Sequence, residues 1–253
     1  KTLAGRGANA VGVERDDAHR DEGRCRRGYH TESIRHSVPM QDHKTRFLDL
    51  AFDHGALRLG EFTLKSGRVS PYFFNLGAIA GGAAMATLAD CYARAILEAG
   101  IQLDGLFGPA YKGIPLVTAT ACALAGHGVN LPFTYNRKEA KDHGEGGQLV
   151  GAELSGRIGI VDDVITAGTA VREAIQLIHR AGAQPTALVV ALDRQERGSG
   201  NRSALRELAE DTGIQPIAVC TVDDLLAYLT GHPGQENAVE AIHAYRRTYG
   251  DAG

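Results

Sequence analysis

The stretch Arg157-Ile158-Gly159-Ile160-Val161-Asp162-Asp163-Val164-Ile165-Thr166-Ala167-Gly168-Thr169-Ala170 decides how this chain is read. It begins as a short apolar strand over residues 158–161, passes two adjacent carboxylates and a turn of small residues, and enters a helix over 170–181. A brief, uniformly apolar strand is the pattern of a parallel strand covered on both faces. The helix carries Val171, Ala174, Ile175 and Ile178 at helical spacing, with Gly182 at its end. Between strand and helix, residues 166–169 bring backbone N–H groups to a helix N-terminus, where unpaired N–H groups and the helix dipole favour an anion. Asp162 and Asp163 stand beside that spot and would repel a bare phosphate. A sugar phosphate removes the conflict: its phosphate oxygens meet the turn and its hydroxyls donate to the carboxylates.

The stretch is not a P-loop, because no Gly-Lys-Ser/Thr follows the glycine, and it lacks the Gly-x-Gly-x-x-Gly of a dinucleotide site. It resembles the phosphoribosyl diphosphate (PRPP) motif of type I phosphoribosyltransferases.

Working outward, residues 103–107 and 131–135 read as further strands, and 186–192 as a very apolar one. After the first comes Gly108-Pro109-Ala110-Tyr111-Lys112-Gly113, a strand-to-helix turn whose glycines permit close backbone approach to a ligand and whose Lys112 offers a point charge to a diphosphate. After the second, residues 136–147 contain Arg137, Lys138, Lys141 and His143, end in glycines and have no apolar anchor. That composition predicts a mobile lid that orders on a polyanion. After the third lies Arg194, where a guanidinium can grip a carboxylate through two hydrogen bonds. Helices are expected at 83–99, 203–212, 222–230 and 236–249, and a strand at 217–220. Strands alternating with helices predict an α/β chain built on a mostly parallel central sheet flanked by helices.

Towards the N-terminus, residues 42–57 read as an amphipathic helix. Residues 60–75 read as a hairpin turning at Ser66-Gly67, with Lys65 before the turn and Phe73-Phe74 after it. The adjacent rings break strand alternation, so one covers either core or a flat ligand. Residues 1–39 are rich in interleaved Arg, Asp and Glu, poor in aliphatic residues, and predicted to be a disordered extension, with Met40 as the natural start. They have neither the apolar core of a secretory signal nor the acid-poor composition of a transit peptide.

The bulk numbers suit a soluble globular chain: 253 residues, 43% hydrophobic, 23% charged, formal net charge −3. That balance disfavours nucleic acid as a partner, and no apolar run is long enough for a membrane span. Cys25, Cys91, Cys122 and Cys220 are too widely spaced for a zinc site or disulfide framework. The last three are expected to be buried, and a reducing cytoplasm is the expected compartment.

Taken together, Phe62-Thr63-Leu64-Lys65-Ser66-Gly67-Arg68, Ser70-Pro71-Tyr72-Phe73-Phe74-Asn75, residues 108–113, 137–147, 161–170 and 192–198 resemble orotate phosphoribosyltransferases, in the same order, from about residue 40 to the end. The resemblance implies a type I phosphoribosyltransferase fold over 40–253, with an N-terminal hood at about 41–75. The activity implied is Mg²⁺-dependent transfer of the phosphoribosyl group from PRPP to orotate, giving orotidine 5′-phosphate and diphosphate in pyrimidine synthesis. By position, PRPP would be held by Lys65, Tyr111, Lys112, Arg137, Lys138, Lys141, His143, Asp162, Asp163, Val164, Ile165, Thr166, Ala167, Gly168, Thr169 and Ala170. Orotate would be held by Phe73, Phe74, Thr166 and Arg194. Lys141, Asp162 and Asp163 would carry the catalytic roles, with no direct protein ligand to the metal beyond a water-mediated contact at Asp163. The family's lid reaches across a homodimer into the neighbouring active site. A purine-base transferase shares the donor motif but needs neither the Phe73-Phe74 hood nor Arg194; a PRPP-sensing regulator shares it too, but would usually add a DNA-binding element, for which residues 1–39 are too poor in apolar residues, and would not need the complete lid.

Overall fold

The computed structural model describes residues 42–251 apart from 65, 142–146, 166, 167 and 199, and the backbone alone at 139–141 and 147. The expectations for residues 1–39, Met40, Lys65, His143, Thr166 and Ala167, and for the Lys141 side chain, therefore lie outside the described residues. Helix α1 (His43–Asp53) starts where the Asp42 side chain accepts the Thr45 N–H at 2.7 Å, and buries Phe47, Leu48, Leu50 and Ala51. It is shorter than the expected 42–57. Gly55 takes φ +64, the left-handed conformation that ends helices, and Leu57 already belongs to the next strand. Strands β1 (Leu57–Thr63) and β2 (Val69–Phe74) form a two-stranded antiparallel sheet, as the hairpin pattern predicts.

Then follow α2 (Gly82–Glu98), β3 (Gly105–Gly108), α3 (Gly113–Gly126), β4 (Phe133–Lys141), β5 (Gly147–Gly151), β6 (Arg157–Val161), α4 (Thr169–Arg180), β7 (Gln184–Asp193), α5 (Ala204–Thr212), β8 (Gln215–Thr221), α6 (Val222–Thr230) and α7 (Glu236–Tyr249). The main sheet has the order β5-β4-β3-β6-β7-β8, and every pairing in it is parallel except β4 with β5. Its apolar strands are covered on both faces. Val161, Val189 and Ala191 join the core formed with α1, α2, α3 and α6, whereas Ile160, Leu188 and Val190 join the core formed with α4 and α5. Alternate side chains thus enter opposite cores, and burying each large one contributes about 1.5–3 kcal/mol. This explains why β6 and β7 are apolar throughout instead of alternating.

Two expectations change. The segment from 136 onward does not abandon the sheet at Tyr135: β4 continues to Lys141 and returns as β5, pairing Tyr135 with Val150, Asn136 with Leu149 and Lys141 with Gly147. An edge ladder satisfies its backbone groups without an apolar face, so a charged sequence can still be strand. Cys122 is exposed, although Cys91 and Cys220 are buried. It lies on α3, whose inward face is taken by Leu116, Val117, Thr120, Ala121 and Leu124. Among the described residues no helix is long and apolar enough to cross a membrane.

After β3 the chain adds β4 on one side, and β6 then takes the other side of β3. The carboxyl ends of β3 and β6 therefore flank a topological switch point, the place where open parallel sheets leave a crevice for ligands.

Candidate active site

The turn after β3 and the turn after β6 converge on that crevice. The Lys112 ammonium lies 2.5 Å from Asp163 Oδ2, joining residues 51 apart in sequence. Lys112 is more than half exposed, but Asp162 and Asp163 are each only 8% exposed. Their backbone is held firmly. The Tyr92 hydroxyl, from the Ala-rich α2, donates to the Asp162 carbonyl at 2.9 Å. Asp162 N–H donates to Val189 O, and Ala191 N–H to Asp163 O, both on β7. Asp162 Oδ1 accepts the Asp163 N–H at 2.9 Å. Burial pushes the Asp162 carboxyl up to about 7, and the neighbouring Asp163 carboxylate adds to the shift against the opposing pull of the Asp163 N–H and Lys112. The pair thus sets a near-neutral acid beside a carboxylate already engaged by a cation.

Past the acids, Val164 packs on one core and Ile165 on the other, which pins the loop between them. Gly168 takes φ +71 at the N-cap of α4, a backbone shape that favours glycine, and no side chain among the described residues caps the helix. Arg172 N–H bonds back to Gly168 O, so the N–H groups of Thr169, Ala170 and Val171 precede the first intrahelical bond. Thr169 and Ala170 are exposed. This is the helix end at which the sequence leads one to expect an anion.

The glycines of the β3–α3 turn have an internal reason beyond ligand approach. A Cβ on Gly108 would meet the Gly113 carbonyl oxygen at 2.3 Å, and one on Gly113 would meet Pro109 Cδ at 2.6 Å and the Val161 carbonyl oxygen at 3.0 Å. The turn is packed that tightly against its own helix and against β6. Asn136, on β4, accepts the Ala110 N–H at 2.9 Å and so ties this turn to the base of the expected lid. Tyr111 is 66% exposed, and Lys138 Nζ lies 4.8 Å from its ring centroid. Arg137 is half-buried on the same strand. The structure thus brings Tyr111, Lys112, Lys138 and Asp163 into one neighbourhood.

Of the expected acceptor residues, Arg194 lies where β7 ends against the hairpin and meets Ser70 and Tyr72, while Phe73 and Phe74 have other partners. Arg194 donates through Nε to Glu196 Oε1 at 2.7 Å and through Nη2 to Ser70 Oγ at 3.1 Å, and its guanidinium carbon lies 4.3 Å from the Tyr72 ring centroid. Nη2 also lies 2.5 Å from Glu196 Oε1. The Tyr245 hydroxyl also interacts with the guanidinium, so the group expected to grip a carboxylate is engaged by several of its own neighbours. Phe73 tilts against Phe62 at 5.5 Å and lies 5.1 Å from Arg58, while Phe74 tilts against Phe47 at 6.1 Å. Both rings are thus engaged by protein, and for Phe74 the core explanation of the aromatic pair holds.

Sequence reasoning missed Tyr92, Asn136, Ser70 and Glu196. A tyrosine inside an alanine-rich apolar helix was the available signal for Tyr92, because a buried hydroxyl requires a partner. For the other three no local pattern distinguishes them.

Comparison with known proteins shows the family to which the chain belongs. The phosphoribosyl transferase domain family matches residues 77–219. The chain is 60% identical over 214 residues to the orotate phosphoribosyltransferase of Xanthomonas euvesicatoria pv. vesicatoria (strain 85-10), covering 83% of this chain and 98% of that protein. It is 55% identical over 212 residues to that of Cellvibrio japonicus (strain Ueda107), covering 83% and 99%. The crystal structure of orotate phosphoribosyltransferase from Francisella tularensis superposes with a TM-score of 0.74 at 39% identity, over 81% of this chain and 98% of that one.

Proposed function

Because this chain belongs to the orotate phosphoribosyltransferases, we propose that the crevice between β3 and β6 is its donor site and the β7–hairpin corner its acceptor site. The enzyme transfers the phosphoribosyl group of PRPP to orotate, yielding orotidine 5′-phosphate and diphosphate, a step of pyrimidine biosynthesis. The observation that carries the site assignment is the meeting of Lys112 with Asp163 beside the N-terminus of α4, where Gly168 is the N-cap.

In this reading the N–H groups of residues 166–170 receive the 5′-phosphate, and Asp162 and Asp163 accept the ribose hydroxyls. Lys112 exchanges its bond to Asp163 for the diphosphate. Lys65, Arg137, Lys138, Lys141 and His143 add positive charge around the departing group. Breaking the C1–oxygen bond builds positive charge on the ribose and negative charge on the diphosphate. Fixed carboxylates below the sugar and fixed cations around the leaving group stabilise both, and need little reorganisation to do so. The lid keeps water from the cationic sugar. Orotate is already an anion, so the site needs no strong base.

Magnesium fits the donor set. Among the described residues no cluster of three or more acidic, histidine or cysteine side chains could cage an ion. Mg²⁺ keeps several waters and would be carried mainly by oxygens of the diphosphate and ribose, with Asp163 reaching it through a water. When bound, it neutralises diphosphate charge. The free thiols of Cys91, Cys122 and Cys220 support a cytoplasmic location.

Loss of orotate absorbance on addition of PRPP and Mg²⁺ tests the activity; no change with intact protein would refute it. We further propose a homodimer whose 137–147 lid serves the partner's site. Mixing Lys141→Ala with Asp163→Ala subunits, each nearly inactive, should restore up to about a quarter of the parent activity in a symmetric dimer. No recovery despite subunit exchange would show that the lid serves its own site.

A further inference from the structure

The acceptor corner contains a carboxylate to which the reading above gives no task. Glu196, 13% exposed, gathers donors from every element around it. Its Oε1 accepts from Arg194 Nε at 2.7 Å and from the Tyr72 hydroxyl at 3.4 Å. Its Oε2 accepts from the Tyr245 hydroxyl of α7 at 3.1 Å and lies 3.8 Å from Arg68 Nη1. Gln195, between the arginine and the glutamate, has φ +50, the one positive φ at a non-glycine position among the described residues. The Gln195 N–H is held by Asp193 Oδ1 at 2.9 Å. The chain therefore adopts an uncommon backbone shape at the point where these two side chains meet, the kind of local strain that collects at functional sites.

Stability is a poor explanation for this cluster. Desolvating a half-buried ion pair offsets most of its attraction, and apolar side chains of similar volume often do as well. Orientation is a better one. A guanidinium has five N–H donors in a rigid plane. Glu196 occupies the edge formed by Nε and Nη2, Ser70 takes a further bond from Nη2, and the Tyr72 ring covers one face. Tyr245 also interacts with the guanidinium, and the contacts to Glu196 and Ser70 use Nε and Nη2, on the edge away from Nη1.

We propose that Glu196 is a positioning residue for the acceptor. It fixes the plane of Arg194 so that Nη1 meets the carboxylate of orotate, and Tyr245 of the C-terminal helix holds Glu196 in turn. This rests on the assignment of Arg194 to orotate made above. The substrate's carboxylate would therefore be read through a chain from α7 to Glu196 to Arg194, and PRPP would not sense it.

The test is steady-state kinetics with orotate and PRPP varied separately. Glu196→Ala should raise the KM for orotate about tenfold, as loss of a charge-assisted partner does, and leave the KM for PRPP and the kcat within about twofold. Glu196→Gln keeps the acceptor oxygen without the charge and should recover most of the loss. Tyr245→Phe removes one oxygen from a folded helix, and should raise the orotate KM about two- to threefold; it decides the matter should Glu196→Ala fail to fold. Arg194→Ala separates the two levels of the claim. If it raises the orotate KM and the Glu196 and Tyr245 variants do not, or if those variants raise both KM values equally, the positioning role is overturned. If Arg194→Ala itself leaves the orotate KM unchanged, the assignment of Arg194 fails and the positioning role falls with it.

Discussion

At the end of β6, Asp162, Asp163, Gly168 and Thr169 come from one continuous run of chain that passes from strand to helix. At the end of β7, Ser70 and Arg194 meet across 124 residues, and Glu196 and Tyr245 across 49. The first region is a single turn between the strand and helix it joins, with Tyr92, Val189 and Ala191 bonded to its backbone. The second exists only while the hairpin and α7 are docked on the sheet. The donor site should therefore lose function mainly through changes to its own residues. The acceptor corner should be sensitive also to changes that loosen its supports.

The comparison breaks most sharply at Asp163, the carboxylate that meets Lys112. Asp163→Ala should reduce kcat/KM on the order of 10³-fold, about 4 kcal/mol of transition-state stabilisation. A loss under tenfold would show that the continuous run is not the donor site. Next is Asp162, whose carboxyl is raised to about 7 by burial. In the unfolded chain it ionises near its ordinary value of about 3.9, so its contribution to stability is fully present below about pH 4 and is lost as the pH rises through 7, by up to about 4 kcal/mol. Asp162→Asn keeps the acceptor for the Asp163 N–H and removes this loss. Urea unfolding without ligand or metal should find the variant level with the parent at pH 4 and more stable at pH 8. A gap that narrows with rising pH would contradict the shift.

Lys141→Ala should lower kcat about 10²-fold with smaller changes in either KM, because lid contacts should strengthen as the diphosphate departs. Raised KM values at unchanged kcat would place the lid in ground-state binding. Smallest is Arg194→Ala, for which the orotate KM should rise about thirtyfold with PRPP affected little. Equal losses for both substrates would merge the two regions that the geometry separates.

Strand and helix order was largely legible because both cores impose strong patterns. Ile158, Ile160, Val161 and the apolar run of β7 could hardly be anything but buried strand. Helix α1 was read too long because Leu57 continues the apolar spacing, and only the left-handed Gly55 breaks it. The strand through Asn136, Arg137 and Lys138 was hidden because edge pairing is made by backbone groups, which leave no hydrophobic signature. Cys122 was misplaced because an alanine-rich helix such as α3 gives little contrast between its faces.

By itself the sequence determined the fold class, the family and the strand, turn and helix that follow Arg157, because each is encoded over spans short enough for local spacing to specify geometry. Tertiary structure alone decided that Tyr92 holds the Asp162 carbonyl, that Asn136 ties the Tyr111–Lys112 turn to β4, and that Glu196 occupies one edge of Arg194. Those contacts join residues that are distant along the chain or separated by a turn. Hydrogen bonds of 3 Å depend on how whole elements dock, and no periodicity in the sequence records that.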